Sequence, residues 1–173
     1  MCLKTPSRIN VVLYEPEIPQ NTGNIARLCA CCGASLYLVG KLGFSLSDKY
    51  TKRAGLDYWD KLEIEEHKSL EEFLKKYNPD ANNMFFATTK GKTKYTDINY
   101  SNMNEVFVLY GKETKGLPEP LLEKYLDEKT IRIPMLSTLR SLNLSNSVAI
   151  ITYEILRQHD FEDLQEVSTY FDN

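Results

Sequence analysis

The stretch Val106-Phe107-Val108-Leu109-Tyr110-Gly111-Lys112-Glu113-Thr114-Lys115-Gly116-Leu117-Pro118 places a glycine-bounded loop directly after an apolar run. Such a run is typical of a buried strand. Gly111 and Gly116 allow the backbone to turn sharply and to approach a bound molecule, and Pro118 suits the first turn of a helix. The loop is therefore a candidate ligand site, although an ordinary strand-to-helix turn explains this stretch equally well.

The remaining sequence alternates apolar runs with helical periodicity. The runs at 9–14, 35–39, 62–65, 84–88, 106–110 and 130–133 predict strands. The first predicted helix is capped by Asn21 or Thr22 and ends at Gly33. A short helix is predicted from about Ser47, and three more at 69–77, 118–126 and 143–159. This order indicates an α/β domain with a mostly parallel sheet covered by helices on both faces. In such a sheet the loops at Thr88, Gly111 and Pro134 emerge at one edge, where ligands bind.

Size and composition limit the function. The 173 residues fit a single domain, 1–173 with a core at about 9–159, and no apolar run reaches the length of a membrane helix. We expect a cytoplasmic protein. The net charge of −3 argues against nucleic-acid binding by bulk charge. Local basic clusters remain, and these are Lys49, Lys52 and Arg53 in one segment and Lys90, Lys92 and Lys94 in another.

The cysteines and histidines do not indicate a metal site. Cys29, Cys31 and Cys32 lie on one predicted helix, where neighbours point apart, so we expect reduced thiols. His67 and His159 stand alone in polar stretches and are expected at the surface. The sequence also lacks a G-x-G-x-x-G turn after its first strand, the Lys-Ser/Thr of a phosphate loop and the G-x-S-x-G turn of a hydrolase.

Three ordered blocks resemble the motifs of the SPOUT methyltransferases. The blocks are Asn21-Thr22-Gly23-Asn24-Ile25-Ala26-Arg27, the segment from Leu109 to Pro118, and Ile131-Arg132-Ile133-Pro134-Met135 followed by Arg140-Ser141-Leu142-Asn143-Leu144-Ser145-Asn146-Ser147-Val148-Ala149. Within that class the chain is most similar to the small bacterial tRNA (cytidine/uridine-34-2′-O)-methyltransferases. It shares with them the types of residue in 14–19, 53–58 and 88–91.

The resemblance implies a C-terminal trefoil knot, a homodimer and S-adenosylmethionine as the cofactor. None of these follows from periodicity, and general rules of chain topology make knots rare. The cofactor-binding positions that the resemblance implies are Ala87, Thr88, Gly111, Glu113, Ile133, Met135, Ser141 and Leu142. An apolar slot with backbone donors and acceptors suits adenine.

Methylation of a ribose 2′-hydroxyl requires an aligned methyl donor, removal of a proton and a grip on the neighbouring phosphate. The resemblance assigns catalytic roles to Arg27, Asn143, Ser145 and Tyr153. A guanidinium stays protonated, so Arg27 suits orientation and charge neutralisation, and the proton acceptor is left open. For Tyr153 a plain interface role is equally compatible, and for Arg27 a structural salt bridge is the alternative.

The implied RNA partner is a tRNA anticodon stem-loop, held in a groove of the dimer. The predicted RNA-binding residues are Arg53, Lys90, Arg132 and Arg140, with Trp59 as a candidate for base stacking. The alternatives are a SPOUT enzyme acting on another tRNA position or on rRNA, a catalytically silent RNA-binding dimer, and an unrelated α/β domain.

Overall fold

The computed structural model describes residues 8–45 and 62–170. The short helix predicted from about Ser47, and the candidate residues Arg53 and Trp59, lie outside these ranges.

The described strands form one seven-stranded sheet in which all neighbouring strands are parallel. Their order across the sheet is β3-β2-β1-β6-β4-β7-β5. The strands are β1 (Arg8–Tyr14), β2 (Ser35–Val39), β3 (Ile64–His67), β4 (Met84–Ala87), β5 (Thr93–Lys94), β6 (Glu105–Tyr110) and β7 (Thr130–Arg132). The sequence predicted all of them to within a few residues except β5, which is too short to carry a pattern.

Four α-helices connect or cover the described strands. They are α1 (Pro19–Cys32), α2 (Leu70–Lys76), α3 (Glu119–Tyr125) and α4 (Leu144–Gln158), and Tyr95–Asp97 adds a turn of 3₁₀-helix. Gly33 ends α1 in the left-handed conformation, and the Ser69 side chain caps α2, as predicted. The prediction that Asn21 or Thr22 caps α1 is wrong, because the helix begins at Pro19 and buries both side chains.

The alternation of side chains along the strands builds a core on each face of the sheet. Val11 and Leu13 of β1 face the cluster that contains α1 and α4, whereas Val12 between them faces the cluster with α2 and α3. Helices therefore cover both faces, as a parallel sheet requires. Within the described residues no helix is long and apolar enough to cross a membrane.

His67 is buried, so its prediction as a surface residue is wrong. Its ring stacks on Tyr37 with centroids 6.4 Å apart and meets the edges of Phe73 and Tyr77. The charged sequence around it gave no hint of this aromatic surrounding, because Tyr37 comes from another strand. Cys29, Cys31 and Cys32 are free thiols, with Cys31 exposed.

The strand order brings the predicted loops together. β4 lies between β6 and β7, so the segments that follow Ala87, Tyr110 and Arg132 leave the same edge of the sheet side by side. β1 neighbours β6, so the segment from Glu15 to Ile18 that leads into α1 joins them. The parallel strands and their order thus bring together segments that are far apart in the sequence.

Candidate functional site

A cavity of about 520 Å³ lies at the carboxyl edge of β4, β6 and β7. This volume is within the usual range for small-molecule sites. The loops after the three strands line it, together with Ser147 and Ile151 of α4. All of the predicted cofactor positions border this cavity, namely Ala87, Thr88, Gly111, Glu113, Ile133, Met135, Ser141 and Leu142.

Gly111 is required by close backbone packing. A Cβ atom at this position would lie 2.1 Å from the carbonyl carbon of Gly116 and 2.2 Å from the nitrogen of Leu117. Lys112 and Gly116 also pair across the loop, and Gly116 adopts a left-handed φ of 70°. The loop 111–117 is therefore a tightly closed turn, and its backbone forms part of the cavity wall.

The carboxylate of Glu113 binds the start of α1. It accepts hydrogen bonds from the backbone nitrogens of Glu17 at 2.9 Å and Ile18 at 3.2 Å, and from Nδ2 of Asn21 at 3.0 Å. A side chain from a distant loop thus satisfies backbone donors at the entry to the helix. Glu113 borders the cavity, but its carboxylate is engaged with α1.

Asn143 connects the beginning of α4 with the same network. Its Oδ1 accepts hydrogen bonds from the backbone nitrogens of Ser145 at 2.9 Å and Asn146 at 3.4 Å, as an N-cap residue does. The Ser145 hydroxyl donates to the same oxygen at 2.7 Å. On its other side Asn143 donates from Nδ2 to Asn21 Oδ1 at 3.0 Å. Glu113, Asn21 and Asn143 therefore form one continuous chain of hydrogen bonds.

Asn143 borders the cavity, whereas the other predicted catalytic residues do not line it. Arg27 is exposed on α1, eight positions after Pro19. Ser145 is half-buried in the first turn of α4. Tyr153 lies further along α4, is 47% exposed and has its ring centroid 6.5 Å from that of Phe161. Within one chain these three residues therefore lie outside the cavity lining, and Ser145 is linked to it through Asn143.

Two predicted RNA-binding residues, Lys90 and Arg140, border the cavity. Arg132 is half-buried at the end of β7. The predicted row of lysines is paired with acids, since Lys90 contacts Glu119, Lys92 contacts Asp127 at 2.6 Å and Lys94 contacts Asp97 at 3.0 Å. These ion pairs reduce the positive charge of the lysine segment. The sequence did not reveal this, because the acids lie outside that segment.

The site also contains two residues to which the sequence gave no site role. Asn21, predicted only as a helix cap, is 5% exposed and links Glu113 to Asn143. Tyr110 lines the cavity from the end of β6, and burial raises the pKa of its phenol well above the ordinary value, so it stays neutral. Both residues stand in blocks that resemble the SPOUT motifs, Asn21 in the first and Tyr110 in the second, and this was the available signal. Among the described residues no group of three His, Cys, Asp or Glu side chains could hold a metal ion.

Comparison with known proteins defines the class to which this fold and cavity belong. Residues 8–153 match the model of the SpoU rRNA Methylase family, and the chain belongs to that family. It is 48% identical over 152 residues to the tRNA (cytidine(34)-2′-O)-methyltransferase of Methylovorus glucosotrophus, covering 88% of this chain and 96% of that protein. It is 44% identical over 153 residues to the protein of the same name from Burkholderia cenocepacia, covering 88% and 97%.

Solved structures give the same relationship. One described as providing insights into the 2-OH methylation of C/U34 on tRNA superposes with a TM-score of 0.82 at 38% identity, covering 91% of this chain and 99% of that one. The fold class predicted from the sequence, an α/β domain with a SPOUT-type parallel sheet, is therefore confirmed.

Proposed function

We propose that the protein transfers a methyl group from S-adenosylmethionine to the ribose 2′-hydroxyl of the wobble nucleotide, a cytidine or modified uridine at position 34 of tRNA. The observation that carries this proposal is the cavity at the carboxyl edge of β4, β6 and β7, which every predicted cofactor residue borders. The relatives named above, which the chain matches over almost their full length, supply the substrate class.

The residues around the cavity fit the cofactor. Ile133, Met135 and Leu142 offer apolar surface for the adenine ring, and the closed turn 111–117 offers backbone groups close by. When bound, S-adenosylmethionine supplies an activated methyl group on its sulfonium. The chain's own residues must then hold the ribose hydroxyl in line with that methyl and exclude competing water.

Arg27 is the residue that we assign to the reacting nucleotide. It is exposed on α1, so a phosphate of the RNA has access to it. Its guanidinium suits bidentate binding of that phosphate, which neutralises the phosphate charge and orients the neighbouring ribose. Asn143 and Ser145 hold the N-terminal turn of α4 beside the cavity through their shared hydrogen bonds.

The RNA surface is assigned to Lys90, Arg132, Arg140 and Arg53, with the anticodon stem-loop as partner. Lys90 and Arg140 border the cavity, so positive charge lies beside it although Glu119 pairs with Lys90 and the whole chain carries −3. Binding that relies on such a local patch weakens as salt is added.

We also propose that two copies of the chain assemble the complete RNA site. Exposed apolar side chains support this assembly, because Tyr153 is 47% exposed and Leu136 and Leu139 in the loop before α4 are 73% and 62% exposed. In this arrangement Tyr153 contributes through the interface. Sedimentation of the purified protein tests the assembly, and a monomer at micromolar concentration contradicts it.

The remaining assignments concern the chain's topology and location. We propose a single domain with a trefoil knot in which α4 passes through the preceding chain, as the resemblance to the SPOUT methyltransferases implies. The cavity that the loops after β4, β6 and β7 share with residues of α4 is compatible with this topology. A tRNA substrate and the free thiols of Cys29, Cys31 and Cys32 support a cytoplasmic location.

Incubation with labelled S-adenosylmethionine and bulk tRNA tests the function. We expect label on a 2′-O-methylated nucleotide at position 34. Label at another position of the tRNA would keep the chemistry but overturn the assignment to nucleotide 34. Binding of cofactor without any methyl transfer would indicate a silent RNA-binding protein.

A further inference from the structure

The segment that leads into α1 and the cavity loop 111–117 are joined by hydrogen bonds, and each of the two supplies a carboxylate that accepts from the other. Glu17 accepts hydrogen bonds from the backbone nitrogen of Thr114 at 3.0 Å and from its hydroxyl at 2.8 Å. In return, Glu113 accepts from the backbone nitrogens of Glu17 and Ile18. We name these reciprocal contacts of Glu17, Ile18, Glu113 and Thr114 the carboxylate clasp.

Contacts on either side strengthen the carboxylate clasp. Glu15 forms an ion pair with Lys112, in which the two side chains are only 27% and 25% exposed. The Gly43 nitrogen donates to the Pro16 carbonyl at 2.9 Å, and a Cβ atom on Gly43 would lie 2.9 Å from Glu17 Cα. The backbone of Glu17 is thus packed against the loop after β2, and it anchors the side chain that binds Thr114.

The hydrogen bonds to Glu17 favour its charged form. The hydroxyl and the amide of Thr114 lower the pKa of the Glu17 carboxyl below its ordinary value, and Lys112 and Lys115 act in the same direction. At neutral pH the carboxylate is ionised, and hydrogen bonds to an ionised acceptor are the stronger kind.

We propose that Glu17 is a positioning residue, which acts through Thr114 to hold the cofactor loop in register with the helix that carries Arg27. The inference rests on the proposed cofactor site. The loop 111–117 forms part of the cavity wall, and Thr114 within it is tied to the segment that leads into α1. A shift of this loop would misplace the methyl donor relative to the helix that carries Arg27, and small misplacements are costly for transfer reactions.

The test measures the affinity for S-adenosylmethionine by calorimetry and the thermal unfolding of the same samples. We expect Glu17→Ala and Thr114→Val to weaken cofactor binding roughly tenfold, because each removes hydrogen bonds to a charged group. Thr114→Ser keeps the hydroxyl and should restore wild-type affinity. Glu123→Ala removes an exposed carboxylate of α3 outside the clasp and serves as the matched control.

The variants also separate positioning from a merely structural role. In steady-state assays Glu17→Ala should raise the KM for S-adenosylmethionine and leave the KM for tRNA near wild type. The double variant Glu17→Ala/Thr114→Val should lose no more affinity than Glu17→Ala alone, since Glu17→Ala already removes the contact to the Thr114 hydroxyl. Cofactor affinity within twofold of wild type in Glu17→Ala and Thr114→Val would overturn the proposal, even if their melting temperatures fall.

Failure of the proposed function gives a different result. If the wild-type chain binds no S-adenosylmethionine, the cofactor assignment falls. The clasp is then tested by amide hydrogen exchange in the free protein, where Glu17→Ala should speed exchange at Thr114. Unchanged exchange at Thr114 would overturn the clasp itself.

Discussion

The side-chain amide of Asn143 donates a 3.0 Å hydrogen bond to Oδ1 of Asn21, although 122 positions separate the two residues. Through this bond the N-terminal cap of α4 is fixed against the first turn of α1. Asn21 in turn donates to Glu113, so the loop after β6, α1 and α4 share one polar network. The network borders the cavity proposed for the cofactor.

Substitutions at Asn143 should separate its two roles. Asn143→Asp keeps the oxygen that caps α4 but loses the donor to Asn21, so we expect near-normal stability with impaired methyl transfer. Asn143→Ala loses both and should cost about 1 kcal/mol of unfolding free energy as well. Urea unfolding and a methyl-transfer assay provide the two readouts. Full activity of Asn143→Asp would show that the Asn21 contact is dispensable.

Gly111→Ala should destabilise the protein and abolish cofactor binding. The added Cβ would meet backbone atoms at 2.1 and 2.2 Å, which cannot move aside like the end of a side chain. We expect a loss of about 2–3 kcal/mol, the upper part of the range for overpacked sites. Gly33→Ala is the control, since Gly33 has a φ of 72° and open space around its Cβ position. That variant should lose about 1–2 kcal/mol and still bind cofactor.

Arg27→Ala and Arg27→Lys test the assignment of the arginine. Both variants should bind S-adenosylmethionine as the wild type does, because Arg27 does not line the cavity. Methyl transfer should fall roughly a hundredfold or more in Arg27→Ala, the usual cost of removing one preorganised charge-stabilising group. Arg27→Lys keeps the charge without the fork geometry and should recover only part of the rate. A wild-type rate in Arg27→Ala would contradict its role at the ribose.

Because Lys90 and Glu119 form an ion pair, replacing one or the other with alanine should have opposite effects on RNA binding. The side chains are 59% and 72% exposed, so breaking the pair should hardly change stability. Lys90→Ala should weaken tRNA binding and reduce its salt slope by about one. Glu119→Ala releases Lys90 for a phosphate and should strengthen binding. Filter binding over a series of salt concentrations measures the affinity for tRNA and its salt slope. Equal effects of the two variants would contradict the assignment of Lys90 to the RNA surface.

The sequence predicted the sheet well because its central strands are buried on both faces and therefore form apolar runs, such as 35–39 and 106–110. It did not predict features that depend on distant partners. The entry to α1 is satisfied by Glu113 rather than by its own cap, and the lysines at 90 and 92 face acids from α3 and the following turn. His67 is buried because Tyr37, Phe73 and Tyr77 surround it in space.

The sequence likewise predicted part of the candidate site and missed the contacts between distant residues. Strand order alone brings the loops at Thr88, Gly111 and Pro134 to one edge, and the motif resemblance supplied the residues that border the cavity. The linking role of Asn21 needed coordinates, because neither its partner Glu113 nor Asn143 is near it in the chain.

The most direct test of the central claim uses a tRNA substrate in which only nucleotide 34 carries a 2′-deoxyribose, compared with the same tRNA with an intact ribose there. With labelled S-adenosylmethionine, we predict methyl transfer to the intact tRNA and none to the 2′-deoxy tRNA, while both bind the protein equally. Equal labelling of the two molecules would contradict methylation of the wobble ribose.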